Sequence, residues 1–161
     1  VKAEIDSKGN DKIVSRLGIS RKVDILADET INIHDTVIQW NKDVEKISCV
    51  LVDEAQFLTA KQVDELFNLT VLDNIPVICY GLRTDFQTKL FPGSMRLFAL
   101  SHSLEELKTI CRCGKKAMLN GRKINDKFIF EGSQVAIDGT ENITYESLCG
   151  SCYFTELSNN L

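Results

Sequence analysis

The sequence has no long apolar run. Its most continuous stretches, Cys49 to Val52 and Ile75 to Tyr80, fall far short of the roughly 20 residues that cross a bilayer as a helix, and its start carries no signal-peptide pattern. A basic field is also missing: 19 Lys and Arg stand against 23 Asp and Glu, for a formal net charge of -4. A phosphate backbone needs counter-charge, so nucleic acid is excluded as a main partner. Internal repeats and low-complexity tracts are absent. Only two histidines occur, His34 and His102, and neither has ligand spacing to a cysteine pair. What remains is a globular chain expected in the cytoplasm, with no membrane partner. Its 161 residues, 43% of them hydrophobic, suffice for a core that buries about two thirds of the unfolded surface.

The apolar positions set the organisation. Ile33, Val37, Trp40 and Val44 recur every three to four residues and predict a helix over Asn32 to Lys46. Ile47 to Val52 is a β-branched run that reads as a strand buried on both faces, with Asp53 and Glu54 at its carboxyl end. Thr59 with Gln62 has the form of a capping box, opening a helix that runs to the Asp73-Asn74 turn. A second buried strand, Pro76 to Leu82, follows. Strand, helix and strand in this order predict a βαβ crossover in a parallel sheet, whose ligands bind beyond the carboxyl ends of the strands. The expected fold class is α/β, with a parallel-sheet core over residues 1–108 and a small second domain over 109–161.

Six cysteines are present. A compartment that keeps thiols reduced leaves metal binding or burial to explain them. Cys49 and Cys79 lie in predicted strands and are expected as core thiols. Cys111-x-Cys113 and Cys149-x-x-Cys152 are two close pairs, each beside a glycine, and four thiolates so placed can close a tetrahedral zinc site. A full cysteine shell leaves no open coordination position, so this zinc is expected to stabilise the loop between the pairs rather than to catalyse.

"VLVDEAQF", Val50 to Phe57, has the form of a strand that delivers a magnesium-holding carboxylate and a second carboxylate able to take a proton. Together with "CYGLRTDFQTKLFPGS" from Cys79 to Ser94, the cysteine pairs and "SQVAIDGTENITYESLCGSC", it resembles the zinc-containing, cellular-type thymidine kinases. The likeness runs from "AEID" near the start through Cys152, with the motifs in the family's order. It implies a P-loop-type α/β core with a zinc-anchored lasso, and transfer of the γ-phosphoryl group of ATP to the 5′-hydroxyl of thymidine. By position, Glu54 would be the general base and Asp53 would face magnesium bound with ATP. Leu82, Phe86 and Phe91 would form the apolar base pocket, the backbone of Ala136, Ile137 and Asp138 would bond the pyrimidine edge, and Tyr145 would contact the nucleoside. "IDGTENITY" is about two residues longer than the family's usual turn. A homotetramer inhibited by dTTP is implied by the same resemblance.

The departure lies in the phosphate site. No G-x-x-x-x-G-K-[ST] occurs in these residues, and the chain opens at Val1 with "VKAEID" already reading as a strand. An N-terminal truncation is therefore expected, with the chain inactive alone. Two alternatives compete. "DEAQ" also occurs in DEAD/DEAH-like helicases, which need further motifs and a basic channel. A non-catalytic, zinc-stabilised nucleoside-binding or oligomerisation module would need no paired carboxylates at a strand tip.

Overall fold

A run of short parallel strands carries the first part of the chain. The computed structural model describes residues 1–6, 11–14, 17–44, 46–134 and 142–160. β1 (Lys2–Ala3) is followed by an exposed antiparallel pair, β2 (Lys12–Val14) and β3 (Ser20–Lys22), and then by β4 (Leu26–Ala27), which pairs in parallel with β1. β5 (Val50–Val52) and β6 (Val77–Cys79) form a second parallel pair, in register from Val50 opposite Val77 to Val52 opposite Cys79. A parallel bridge between Lys2 and Asp53 sets β1 beside the end of β5, where the Asp53 N–H donates to the Val1 carbonyl at 3.0 Å.

Three helices belong to this unit: α1 (Ile33–Asp43), α2 (Ala60–Val71) and α3 (Pro92–Leu100). α2 makes the crossover between β5 and β6, as the element order predicts. Its capping box is present in both halves, the Thr59 hydroxyl accepting from Gln62 N at 3.2 Å and the Gln62 side-chain Oε1 from Thr59 N at 3.1 Å. Two buried polar residues on α2 fasten the entry of α1. Glu65 accepts the Ile33 N–H at 2.8 Å, and Gln62 Nε2 donates to the Asp28 carbonyl at 2.6 Å. Both orient the helix while satisfying groups that would otherwise be buried without a partner. Helix α1 ends at Asp43, and Val44, its C-cap, is exposed rather than on the buried face. Asn41 Oδ1 accepts the Ile47 N–H at 2.7 Å and turns the chain toward β5.

The core joins Ala3, Ala27, Val50 and Val52 of the strands to Ile33, Val37, Val63, Leu66 and Leu69 of the helices. Each large side chain so buried contributes about 1.5–3 kcal/mol. The expectation of strands buried on both faces is not met. Leu51 is 56% exposed and Ile78 47%, because the helices pack on the face that carries Val50 and Val52. A short apolar run does not by itself distinguish one-faced from two-faced burial. Cys49 likewise precedes the first paired residue and is exposed, whereas Cys79 is half-buried, its thiol pushed up to about 11 by desolvation.

α3 begins with Pro92 at a position where its missing N–H costs nothing. Gly93 then lies against backbone: a Cβ there would sit 2.5 Å from the Ala55 carbonyl oxygen, 2.7 Å from that of Leu58 and 2.8 Å from that of Gln56. Backbone cannot rotate aside as a side-chain tip can. Gly93→Ala is therefore expected to lower unfolding free energy by about 3 kcal/mol, measured by urea denaturation, and to displace the turn after β5.

A second compact unit comprises Thr84–Leu90 and Leu104–Leu161, the first comprising Val1–Arg83 and Phe91–Ser103. In the second, β7 (Thr109–Ile110) pairs with β8 (Lys116–Ala117), and β9 (Leu119–Ile124) is flanked by β10 (Lys127–Ile129) and β11 (Ile143–Leu148), all antiparallel. α4 (Gly150–Asn159) follows. The β9–β10 hairpin turns on Asn125 and Asp126, at φ 49° and 63°, the left-handed pair that matches strand twist. Ala117, Phe128, Leu148 and Tyr153 form a small core with Cys111 and Cys149.

The segment Thr84–Leu90 is stitched into this unit by polar contacts. Tyr153 donates its hydroxyl to the Phe86 carbonyl at 2.7 Å, Gln87 Nε2 reaches the Gly132 carbonyl at 3.1 Å, and Gln134 Nε2 reaches Asp85 Oδ2 at 3.0 Å. Among the described residues, no helix is long and apolar enough to cross a membrane.

Candidate active site and metal centre

The carboxyl ends of β5 and β6 open on a cavity of about 250 Å³ lined by Asp53, Glu54, Tyr80, Gly81 and Leu82. Val52 accepts the Tyr80 N–H at 2.8 Å, and Tyr80 accepts the Ala55 N–H at 2.9 Å, so the ladder carries past the strand ends and holds both segments together. Between these bonds Glu54 adopts a left-handed backbone, φ 52° and ψ 40°. That conformation costs a non-glycine residue about 1–2 kcal/mol and persists only where its surroundings impose it. Here the Glu54 N–H donates to Asp53 Oδ1 at 3.1 Å and a 3₁₀ turn from Ala55 to Phe57 follows at once. The turn projects two adjacent carboxylates at one strand tip.

Gln56, 1% exposed, fixes the second of them. Its Nε2 donates to Glu54 Oε2 at 2.6 Å while its Oε1 accepts the Leu82 N–H at 3.1 Å. Gly81 leaves room for this amide, since a Cβ there would sit 2.7 Å from Gln56 Oε1. Ser94 completes the rim by donating its hydroxyl to the Leu82 carbonyl at 2.6 Å. Gln56→Leu keeps the volume but removes both bonds and strands the Leu82 N–H. It is expected to cost about 1–3 kcal/mol in urea unfolding.

The residues expected to form a base pocket differ in exposure. Leu82 is 46% exposed at the cavity, whereas Phe91, 5% exposed, packs edge-on against Phe57 with ring centroids 5.4 Å apart. Both belong to the first unit. In the second unit Phe86 is 1% exposed beneath the Arg122 guanidinium, and Tyr145 on β11 is 56% exposed. Ala136, Ile137 and Asp138 lie outside the described residues.

The second unit gathers the two cysteine pairs. The Sγ atoms of Cys111, Cys113, Cys149 and Cys152 all lie within 4.8 Å of one another, with Cys113 and Cys149 at 3.6 Å. Tetrahedral zinc with Zn–S near 2.3 Å places its sulfurs about 3.8 Å apart, so the set fits such an ion. The local chain builds it: Gly114, at φ 83°, tightens the turn in which its N–H donates to the Cys111 carbonyl at 2.8 Å, and Cys149 caps α4, its Sγ accepting from Cys152 N at 3.5 Å. Four thiols this close conflict as acids. Backbone N–H groups of Cys113 and Cys149 draw Cys111 down to about 6, while the neighbouring sulfurs push Cys152 up to about 12. A bound divalent cation removes the conflict by accepting all four as thiolates.

Comparison with known proteins bears on both features. The thymidine kinase family matches residues 1–153. The chain belongs to that family. It is 49% identical to a thymidine kinase of Haemophilus influenzae over 150 residues, 91% of this chain and 75% of that protein. A thymidine kinase of Mannheimia succiniciproducens is 45% identical over 150 residues, 91% of this chain and 74% of the relative, and one of Photorhabdus laumondii is 42% identical over 158 residues, 97% and 77%. The thymidine kinase match takes in the acidic turn and all four cysteines. Sequence reasoning named the carboxylates and thiols but assigned nothing to Gln56, Gly93 or Arg122. Gln56 was visible inside "DEAQF"; its bond to Glu54 was not, since it depends on the 3₁₀ turn.

Proposed function

We propose that this thymidine kinase chain supplies the acceptor side of phosphoryl transfer from ATP to the 5′-hydroxyl of thymidine, giving thymidine monophosphate. The observation that carries the reading is the pair Asp53 and Glu54 at a cavity mouth, with Glu54 held by Gln56 and set in a strained backbone. Glu54 accepts the proton of the 5′-hydroxyl as that oxygen attacks, which raises its nucleophilicity without requiring a free alkoxide. One oxygen of Asp53 is taken by the Glu54 N–H, and the other is the one that would hold magnesium. When bound, magnesium would neutralise charge on the phosphate oxygens. No phosphate-cradling G-x-x-x-x-G-K-[ST] lies within the 161 residues, so the P-loop-type character of the core rests on family membership.

Leu82, at the cavity, is the apolar contact proposed for thymine, with Phe91 packed in the same unit. Phe86 and Tyr145 are the aromatic contacts proposed from the second unit, with the backbone of residues 136–138. Zinc on the four cysteines is structural in this reading. A homotetramer inhibited by dTTP belongs to the same proposal through family membership alone. The test is formation of labelled thymidine monophosphate from labelled thymidine and magnesium ATP by the natural protein. Product is expected; thymidine binding without product would favour a non-catalytic nucleoside-binding module.

A further inference from the structure

β9 and β11 set Arg122 directly opposite Tyr145, so the two side chains share one face of the antiparallel pair. Arg122 is 3% exposed, an unusual place for a cation. Its Nε donates to Tyr145 Oη at 3.0 Å, and its terminal nitrogens donate to the carbonyls of Ser133 and Gln134, each at 2.8 Å. The guanidinium carbon lies 3.7 Å from the centroid of the Phe86 ring and 5.5 Å from that of Tyr145. Among the described residues no carboxylate pairs with it. The group has exchanged its hydration for three neutral acceptors and two aromatic rings, an arrangement that only a planar fork satisfies.

The consequence falls on the phenol. A tyrosine hydroxyl that accepts from Arg122 turns its own proton away from the guanidinium. Tyr145 is thereby set as a donor, on a ring that is 56% exposed. We propose that Arg122 is a positioning residue for nucleoside binding, holding Tyr145 as a hydrogen-bond donor toward a hydroxyl or carbonyl oxygen of the nucleoside. This rests on the reading of Tyr145 as a nucleoside contact. Neither composition nor spacing singles out Arg122, because its partners are set by strand register and by the return of the Thr84–Leu90 segment.

The experiment compares the natural kinase with Arg122→Lys, Tyr145→Phe and the double variant, recording KM and kcat for thymidine together with zinc content. Each single substitution is expected to raise KM about tenfold with kcat little changed and zinc retained, and the double variant to be no worse than either, since both remove the same oriented donor. Effects that multiply in the double variant, or a loss of kcat at unchanged KM, overturn the proposal. Should Arg122→Lys not fold, exchange of the Arg122 Nε–H proton is followed by NMR in the wild type and in Tyr145→Phe. Faster exchange in the variant supports the bond, and unchanged exchange overturns it. A wild type that makes no thymidine monophosphate would sink the kinase reading itself; an active wild type with an indifferent Arg122→Lys would sink only this inference.

Discussion

Glu54→Gln is expected to lower kcat for thymidine about 10²- to 10⁴-fold while leaving thymidine affinity nearly unchanged. Glutamine keeps the length and planarity of the side chain, and its carbonyl oxygen can still accept from Gln56 Nε2, which now lies 2.6 Å from Glu54 Oε2. The left-handed turn is therefore preserved. What disappears is the capacity to take a proton, so the substitution separates chemistry from binding. Steady-state kinetics with labelled thymidine, beside a thymidine titration calorimetry run, makes the measurement. Turnover within about threefold of wild type would remove Glu54 from the role of base, because general-base catalysis is worth far more than that.

Removal of the metal proposed for the four cysteines is expected to unfold the second unit while the first keeps its helices. Apart from the cysteines, its buried apolar residues among those described are Phe86, Ala117, Phe128, Leu148 and Tyr153. Structural zinc in small domains contributes apparent binding free energies of about 10–16 kcal/mol, more than such a core supplies. Cys149→Ser should act like chelation, since Cys149 is both a sulfur of the cluster and the cap of α4. Amide hydrogen exchange resolved by segment is the decisive readout. Protection in β9, β11 and α4 should be lost on chelation, and protection in α1 and α2 kept. Undiminished protection of β9 and β11 in metal-free protein would show that the cysteines are ordinary core thiols.

These two predictions rest on features legible in the sequence to different depths. The capping box at Thr59, the parallel crossover from β5 to β6 and the gathering of four cysteines followed from local patterns, because capping, strand order and thiol spacing are written in neighbouring residues. The one-faced burial of β5 was not legible. Leu51 and Val52 are equally apolar, and only the placement of the helices decides which is covered. Gln56 and Arg122 stayed hidden for a related reason. Each is polar and buried, and a polar residue's burial depends on partners distant along the chain, Leu82 for the one and Phe86, Gln134 and Tyr145 for the other. Gly93 shows the same limit in the backbone: its need for no side chain comes from three carbonyls contributed by residues 55, 56 and 58.

The course of the chain between the two units has a consequence for folding order. It passes from the first unit to the second after Arg83, returns at Phe91 and leaves again after Ser103. Neither unit is a contiguous stretch. The bond from the Tyr153 hydroxyl to the Phe86 carbonyl closes a separation of 67 residues, an ordering cost of about 4 kcal/mol for a flexible loop of that length. That bond can form only after the intervening chain, α3 included, has been synthesised. A ribosome releasing this protein would leave the Phe86 ring without Arg122 through the synthesis of α3, β7 and β8, and its carbonyl without Tyr153 until α4 is made, an interval in which a chaperone can shield the aromatic segment.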